Sequence, residues 1–408
     1  MNNGQDRPFT RGGVETLRVD RLPPPDAAAQ AHSQRLETAI HREIDEQGGS
    51  ISFARFMELA LYAPGLGYYS AGAQKFGSAG DFITAPEISA LFGRCLARQF
   101  AQVLRALGGG DILEVGAGTG RLAADVLSEL AAVDCLPGRY YILETSADLR
   151  ERQRRMLDEH ATSWLDLVHW LDALPVDGFH GVVAANEVLD AMPVHRFRRT
   201  ADDIGELRVG WEDGHFEWRV QQPGNHLVTE RVTAIEQQSR RKLPDGFESE
   251  INLVADAWIH SVADTLAAGV VFIIDYGYSR AEYYLPERSG GTLMCHYRHR
   301  VHSDALVLVG LQDITSHVDF TTVAEAAVAA GLDVAGYTTQ GYFLLASGIT
   351  ELAATVSSTE LEQLKIAQQI KRLTLPGEMG EIFKVIALGK AFDVSLDGFS
   401  LRDLRGKL

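Results

Sequence analysis

Three glycines alternate at Gly116, Gly118 and Gly120 within "ILEVGAGTGRL", residues 112–122, directly after a short apolar run. Glycines at that spacing let a backbone turn tightly and lie against a ligand. A phosphate loop needs a Gly, four residues, then Gly-Lys-Ser/Thr, and neither Lys nor Ser follows Gly120. The dinucleotide fingerprint G-x-G-x-x-G requires a glycine where Arg121 stands, so it is met only in part. The remaining pattern, G-x-G-x-G with Glu114 in the strand before it, suits a nucleoside without phosphates. S-adenosylmethionine is such a ligand. Its ribose hydroxyls need an acid, and Glu144 at the end of the next strand is placed for them. Glu114 holds either the loop or the amino-acid end of the ligand. Asp172, after a third strand, faces the adenine amino group or is simply a turn acid. A glycine turn with no ligand is the alternative for the loop taken alone.

A second group follows the fourth strand, in "NEVLDAMP" at 186–193. Asn186 is placed near the methionine part or the reacting centre. Glu187 and Asp190 are three apart, so on a helix they share a face and can grip a guanidinium. Such a fork localises charge and turns a nitrogen lone pair toward an electrophilic carbon. The alternative is a solvated Asp190 and a Glu187 that caps a helix. His317, in "DITSHVDF", could receive or relay the proton, or be a hydrogen-bonded core histidine. Upstream, "GDFITAPEIS" carries Asp81, Thr84 and Glu87 on a glycine-flanked loop suited to a lid, or to a capping box formed by Thr84 and Glu87. His296, His299 and His302 recur every third residue, but no tight ligand set completes them, so no metal is expected.

These residues need elements to position them. "DILEV" at 111–115, "RYYILE" at 139–144, "LDLVHW" at 165–170 and "GVVAAN" at 181–186 read as strands, with helices over "RLAADVLSELAAV" and "SADLRERQRRMLDEH" between them, the second capped by Ser146. Near-continuous apolar strands alternating with helices predict a parallel sheet covered on both faces. Ligands then lie at the carboxyl ends of the strands. "VVFIIDYG" at 270–277 is the most apolar strand, and "EIFKVIALGK" at 381–390 closes the series. The expected fold class is α/β, a Rossmann-like sheet with a helical N-terminal cap and an inserted antiparallel β segment. Its divisions are a disordered tail at 1–30, the helical cap and lid loop at 31–107, and the nucleoside-binding half at 108–195. An inserted β subdomain at 196–246, the remainder of the domain at 247–390 and a C-terminal tail at 391–408 follow. Helices are expected at 31–46, 51–62, 90–107 and 252–269.

Composition narrows the function. The 408 residues carry 38 Lys and Arg against 55 Asp and Glu, a net charge of −17. That field disfavours nucleic acid and tolerates a basic protein partner. The three scattered cysteines form no CxxC and point to a reducing compartment. No apolar stretch reaches the roughly 18 residues of a membrane span. A cytoplasmic location is expected, in a bacterial cell, over a mitochondrial matrix.

Longer motifs carry a resemblance. "FMELALYAPGLGYY" (56–69), "FGSAGDFITAPEISALFG" (76–93), "LEVGAGTGRLAADVL" (113–127), "ETSADLRERQ" (144–153), "ANEVLDAMPVHRF" (185–197), "IDYGY" (274–278), "GTLMCHYRHR" (291–300), "QDITSHVDFT" (312–321), "TTQGYFL" (338–344) and "PGEMGEIFKV" (376–385) appear in order. Together they resemble the MidA-like family of class I methyltransferases over about residues 36 to 390. Met294 and His296 depart from it, standing where Arg and Tyr are expected. The family includes a mitochondrial arginine methyltransferase that assists respiratory complex I assembly. The resemblance implies that Asp81 and Thr84 close over the methyl donor, and that the acceptor is an arginine of a protein. A small-molecule acceptor, or a non-catalytic assembly factor that only binds the donor, are the other readings. A homodimer is left open.

Overall fold

The computed structural model describes residues 10–11, 14–15, 17–71, 83–176, 178–356 and 359–408. The chain divides into two compact units. One comprises Ile83–Asp190, Ala255–Arg280 and Val318–Leu408. The other comprises Met1–Phe82, Ala191–Val254 and Ala281–His317.

The first unit is built on a sheet of seven principal strands among the described residues: β1 (Asp111–Val115), β2 (Tyr140–Leu143), β3 (Val168–Leu171), β4 (Phe179–Asn186), β5 (Leu266–Tyr278), β6 (Asp333–Thr339) and β7 (Phe383–Lys390). Their spatial order is β3-β2-β1-β4-β5-β7-β6, with a short strand, Val318–Asp319, beside the end of β5. β1 to β5 run parallel, as their continuous apolar sequences require when both faces are covered. β7 departs from the parallel expectation: it is inserted between β5 and β6, antiparallel to both. The fold is the mixed α/β sheet of the class I methyltransferase type, with flanking helices.

Helix α1 (Ala90–Leu107) buries Leu91, Cys95, Phe100 and Leu104, and others on the same face, against this sheet. Ser89 caps its start through Leu91 N–H, and Gly108 ends it in the left-handed conformation. Helix α2 (Arg121–Ala132) packs on α1 closely enough that a Cβ on Gly93 would lie 2.7 Å from the Asp125 Cβ. Buried Glu129 of α2 receives Arg94 at 2.6 Å and Arg98 at 3.4 Å. Helix α3 (Ala147–His160) starts at Ser146, whose hydroxyl accepts from Leu149 N–H as expected.

Several boundaries differ from expectation. The segment 165–170 is first a 3-10 turn, Thr162–Leu167, and only then β3. The helix expected to 269 ends at Thr265, where the β-rich run into β5 takes over. Residues 391–408 are not a tail. Phe392, Leu396 and Phe399 are buried in the core, and Gly398 N–H donates to Gln99. Apolar side chains at wide spacing, without helical or strand period, hid that packing.

The second unit holds helices Ala27–Glu46 and Phe53–Tyr62, a two-stranded antiparallel pair (Thr10–Arg11 with Val14–Glu15) and two further antiparallel sheets. The larger sheet orders His215–Gln221, Ile204–Glu212, His195–Arg199 and Glu248–Ile251, with Ser50–Ser52 added beside Ile204–Glu212. The N-terminal cap is therefore not purely helical, and the 196–246 insert turns helical at His226–Ser239. Nor are residues 17–30 a disordered tail: Asp26 caps the first long helix through Ala29 N–H, and Leu17 N–H donates to Val301 O. The smaller sheet joins Arg300–His302, Met294–Tyr297 and Asp313–Thr315. Leu36, Ile40, Phe56, Val209 and Ile314 are among the residues of this unit's core.

Candidate active site

The turn from β1 into α2 is the glycine loop. Gly116, Gly118 and Gly120 have φ of +67°, +53° and +86°. At Gly118 a Cβ would meet no described heavy atom within 4 Å, so the loop presents bare backbone to open space. At Gly120 a Cβ would lie 3.1 Å from the Gln153 Cα, which is where α3 approaches the loop. At Gly116 it would lie 3.2 Å from Val188 Cγ2, so the segment after β4 abuts the loop from the other side.

Glu144 follows β2. One carboxylate oxygen accepts from Ser146 N–H at 2.9 Å and the other from Gln153 Nε2 at 3.3 Å. Burial raises its pKa. Each oxygen keeps lone pairs for further donors. Glu114 resolves differently from either expectation. It is buried in β1 and accepts from the Tyr140 hydroxyl of β2 at 2.6 Å, and burial pushes its pKa up to about 7. It ties two strands together. Asp172, read as facing adenine or as a turn acid, is 87% exposed and ion-paired with Arg150 at 2.6 Å. Arg150 also donates to the carbonyls of Glu144 and Leu171, so it fastens the ends of β2 and β3.

The segment after β4 is not a helix. Glu187 sits at φ +52°, a conformation costly for a side chain with a Cβ, and its N–H donates to Ile274 O at 2.9 Å. The shared-face argument for Glu187 and Asp190 is thereby corrected, and so is the solvated alternative for Asp190, which is buried. Asp190 accepts from the Tyr276 hydroxyl. Asp275, fully buried in β5, accepts from Leu189 N–H at 3.0 Å and Asp190 N–H at 3.2 Å on one oxygen, and from Tyr276 N–H at 2.9 Å on the other. Burial and the neighbouring Asp190 and Glu187 carboxylates push its pKa well up. Asn186 donates to Glu187 at 3.3 Å, while its buried Oδ1 has no hydrogen-bond partner among the described residues. Asp275 and Gln153 were not recognised as site residues in the sequence, where Tyr276, like His317, reads as a proton relay or a core residue. An acid and a tyrosine at a strand's end were the visible signal for Asp275 and Tyr276, and Gln153 had none.

The upstream loop is tied in by an unexpected contact. Asp81 lies outside the described residues. Thr84 precedes the short helix Ala85–Ile88, but its side chain makes no cap bond. Glu87 instead accepts from the Thr119 hydroxyl at 2.5 Å, joining this segment to the glycine loop in place of the expected capping box. His317 belongs to the second unit, where it is buried and its N–H donates to Thr292 Oγ1 at 3.1 Å. There too, burial lowers the His296 pKa to about 4. Among the described residues no three His, Cys, Asp or Glu side chains gather as a metal site.

A β3-β2-β1-β4-β5-β7-β6 sheet with a glycine loop after β1 and an acid after β2 defines a class I, Rossmann-like methyltransferase. The open backbone at Gly118, the half-buried Glu144 and the unsatisfied Asn186 oxygen fit a nucleoside that carries an amino-acid end. A family model for S-adenosyl-L-methionine-dependent methyltransferases matches residues 95–338, and the chain belongs to that family. Its cofactor is S-adenosylmethionine. A COG1565 superfamily member from Burkholderia thailandensis, solved bound to S-adenosyl-homocysteine, is similar with TM-score 0.90 and 44% identity, over 95% of this chain and 100% of that one. A native structure of an uncharacterized protein of that superfamily from the same organism gives 0.88 and 43% over the same shares. Among curated proteins, the mitochondrial protein arginine methyltransferase NDUFAF7 of Danio rerio is 28% identical over 83% of each chain. Its Drosophila melanogaster homolog is 29% identical over 89% of this chain and 87% of its own. The cytoplasmic expectation is overturned: these curated relatives are mitochondrial by name, and the two solved relatives come from a bacterium.

Proposed function

We propose that this methyltransferase transfers its methyl group to an arginine side-chain nitrogen of a protein. The observation that carries the reading is the carboxylate group at the ends of β4 and β5, Glu187, Asp190 and Asp275, immediately beside the glycine loop. When bound, S-adenosylmethionine supplies an electrophilic methyl on a sulfonium. Gly116, Gly118 and Gly120 form the backbone cradle, Glu144 takes the ribose hydroxyls, and Asn186 Oδ1 accepts from the amino-acid end. Thr84, with the 83–89 segment fastened through Glu87, covers the donor and excludes water.

A guanidinium stays protonated in water, so its nitrogens are poor nucleophiles. Glu187 accepts from it and, with Asp190, draws the positive charge toward two of its nitrogens. The third nitrogen then keeps a lone pair directed at the methyl carbon. As the N–C bond forms and the S–C bond breaks, one proton leaves the nitrogen for a carboxylate of this group. Asp275 holds the 187–190 backbone in place, and Tyr276 orients Asp190. No step is assigned to His317. The net charge of −17 favours a basic protein as partner. The test is addition of methyl-labelled donor and the purified chain to cell extract, followed by hydrolysis of the protein fraction. Labelled methylarginine is expected. Label confined to small molecules, or to other amino acids, overturns the proposal.

A further inference from the structure

Gln153 is fully buried on α3, and both ends of its amide are engaged. Nε2 donates to Gly118 O at 3.1 Å and to Glu144 at 3.3 Å. Oε1 accepts from the Trp170 indole N–H of β3 at 2.8 Å. An indole N–H only donates, so Trp170 dictates which end of the amide faces it, and the NH2 must face the two acceptors. The amide thus spans the middle of the glycine loop and the acid that follows β2. The absence of a Cβ at Gly120, 3.1 Å from the Gln153 Cα, is what lets α3 come this near.

We propose that Gln153 is a positioning residue for the cofactor: oriented by Trp170, it couples the Gly118 carbonyl to the Glu144 carboxylate so that cradle and ribose acid are held as one unit. The inference rests on cofactor binding and is independent of the identity of the methyl acceptor. It also accounts for a buried polar side chain on a helix that otherwise buries little. A glutamine in the interior has to satisfy both a donor and an acceptor end, and here both serve the site.

The test is calorimetric binding of S-adenosyl-homocysteine and its 2′-deoxy analogue to the full chain, with thermal unfolding followed in parallel. Wild type is expected to favour the ribose form. Gln153→Met should weaken S-adenosyl-homocysteine about tenfold, the scale of a lost hydrogen bond to a charged group, and weaken the deoxy analogue far less. Gln153→Glu places a second carboxylate against Glu144 and should make binding tighter at pH 5 than at pH 8. Trp170→Phe keeps the glutamine but frees its amide, and should give a smaller loss of the same ribose-selective kind. If Gln153→Met does not fold, the other two variants carry the test. Equal losses on both ligands, or an unchanged preference for the ribose form, overturn the proposal. Failure of wild type to bind S-adenosyl-homocysteine would instead remove the cofactor assignment itself.

Discussion

The hydroxyl of Tyr276 donates to Asp190, tying the end of β5 to the segment that follows β4. The bond fixes one carboxylate of the proposed acceptor site. Tyr276→Phe should lower the rate of methyl transfer about tenfold, the loss of one charge-assisted bond, while calorimetry returns a wild-type affinity for S-adenosyl-homocysteine. A rate unchanged from wild type would take Asp190 out of the chemistry or make its orientation irrelevant.

Glu187→Gln should leave donor affinity close to wild type and slow transfer by roughly two orders of magnitude, as expected for losing a group that handles a proton. Single-turnover measurements separate this from a binding defect. Retention of the full rate would exclude Glu187.

Gly118→Val should abolish donor binding. At φ +53° a β-branched residue is strained, and its side chain would fill the space open at the loop. Undiminished affinity for S-adenosyl-homocysteine would show that the cradle lies elsewhere.

Glu114 makes a pH-dependent prediction. Its pKa in the folded chain is about 7, raised from 4.5 by burial, so the folded state binds its proton more tightly than the unfolded chain does. On this account folding stability falls as pH rises from about 4.5 to about 7, then levels, by at most about 3 kcal/mol. Glu114→Gln keeps an acceptor for Tyr140 and has no such dependence. Denaturant unfolding should therefore show the variant gaining on wild type between pH 5 and pH 8. A constant difference between the two would mean that Glu114 does not titrate in that range.

Phe399 sits 6% exposed against Phe343, at a ring separation of 5.5 Å, and covers Gly336. Phe399→Ala should cost about 3–5 kcal/mol in denaturant unfolding. A loss under 1 kcal/mol would show that residues beyond 390 contribute little to the core.

The parts legible in the sequence were those with a local signature. Alternating glycines after an apolar run placed the turn between β1 and α2, and an acid closing the next strand placed Glu144 beside it. Ser146 before a run of helix formers placed a cap. The misread parts depend on contacts distant in sequence. Glu187 and Asp190 look helical by spacing, but Asp275, which holds that segment in another shape, lies 85 residues beyond Asp190. Glu87 fits a capping box with Thr84, yet Thr119 of the glycine loop competes for its carboxylate and wins. Asp172 kept two readings open because no local pattern announces that Arg150 will reach it.

The place of β7 has a consequence for synthesis. β7, near the end of the sequence, fills the gap between β5 and β6, and each of those bonds it along most of its length. Until Phe383–Lys390 has left the ribosome, two strands emerge with hydrogen-bonding edges that have no neighbour, one of them the most apolar in the chain. Closure of this sheet must therefore await synthesis of Phe383–Lys390. A nascent chain stalled before that point is the species most exposed to aggregation and most in need of a chaperone.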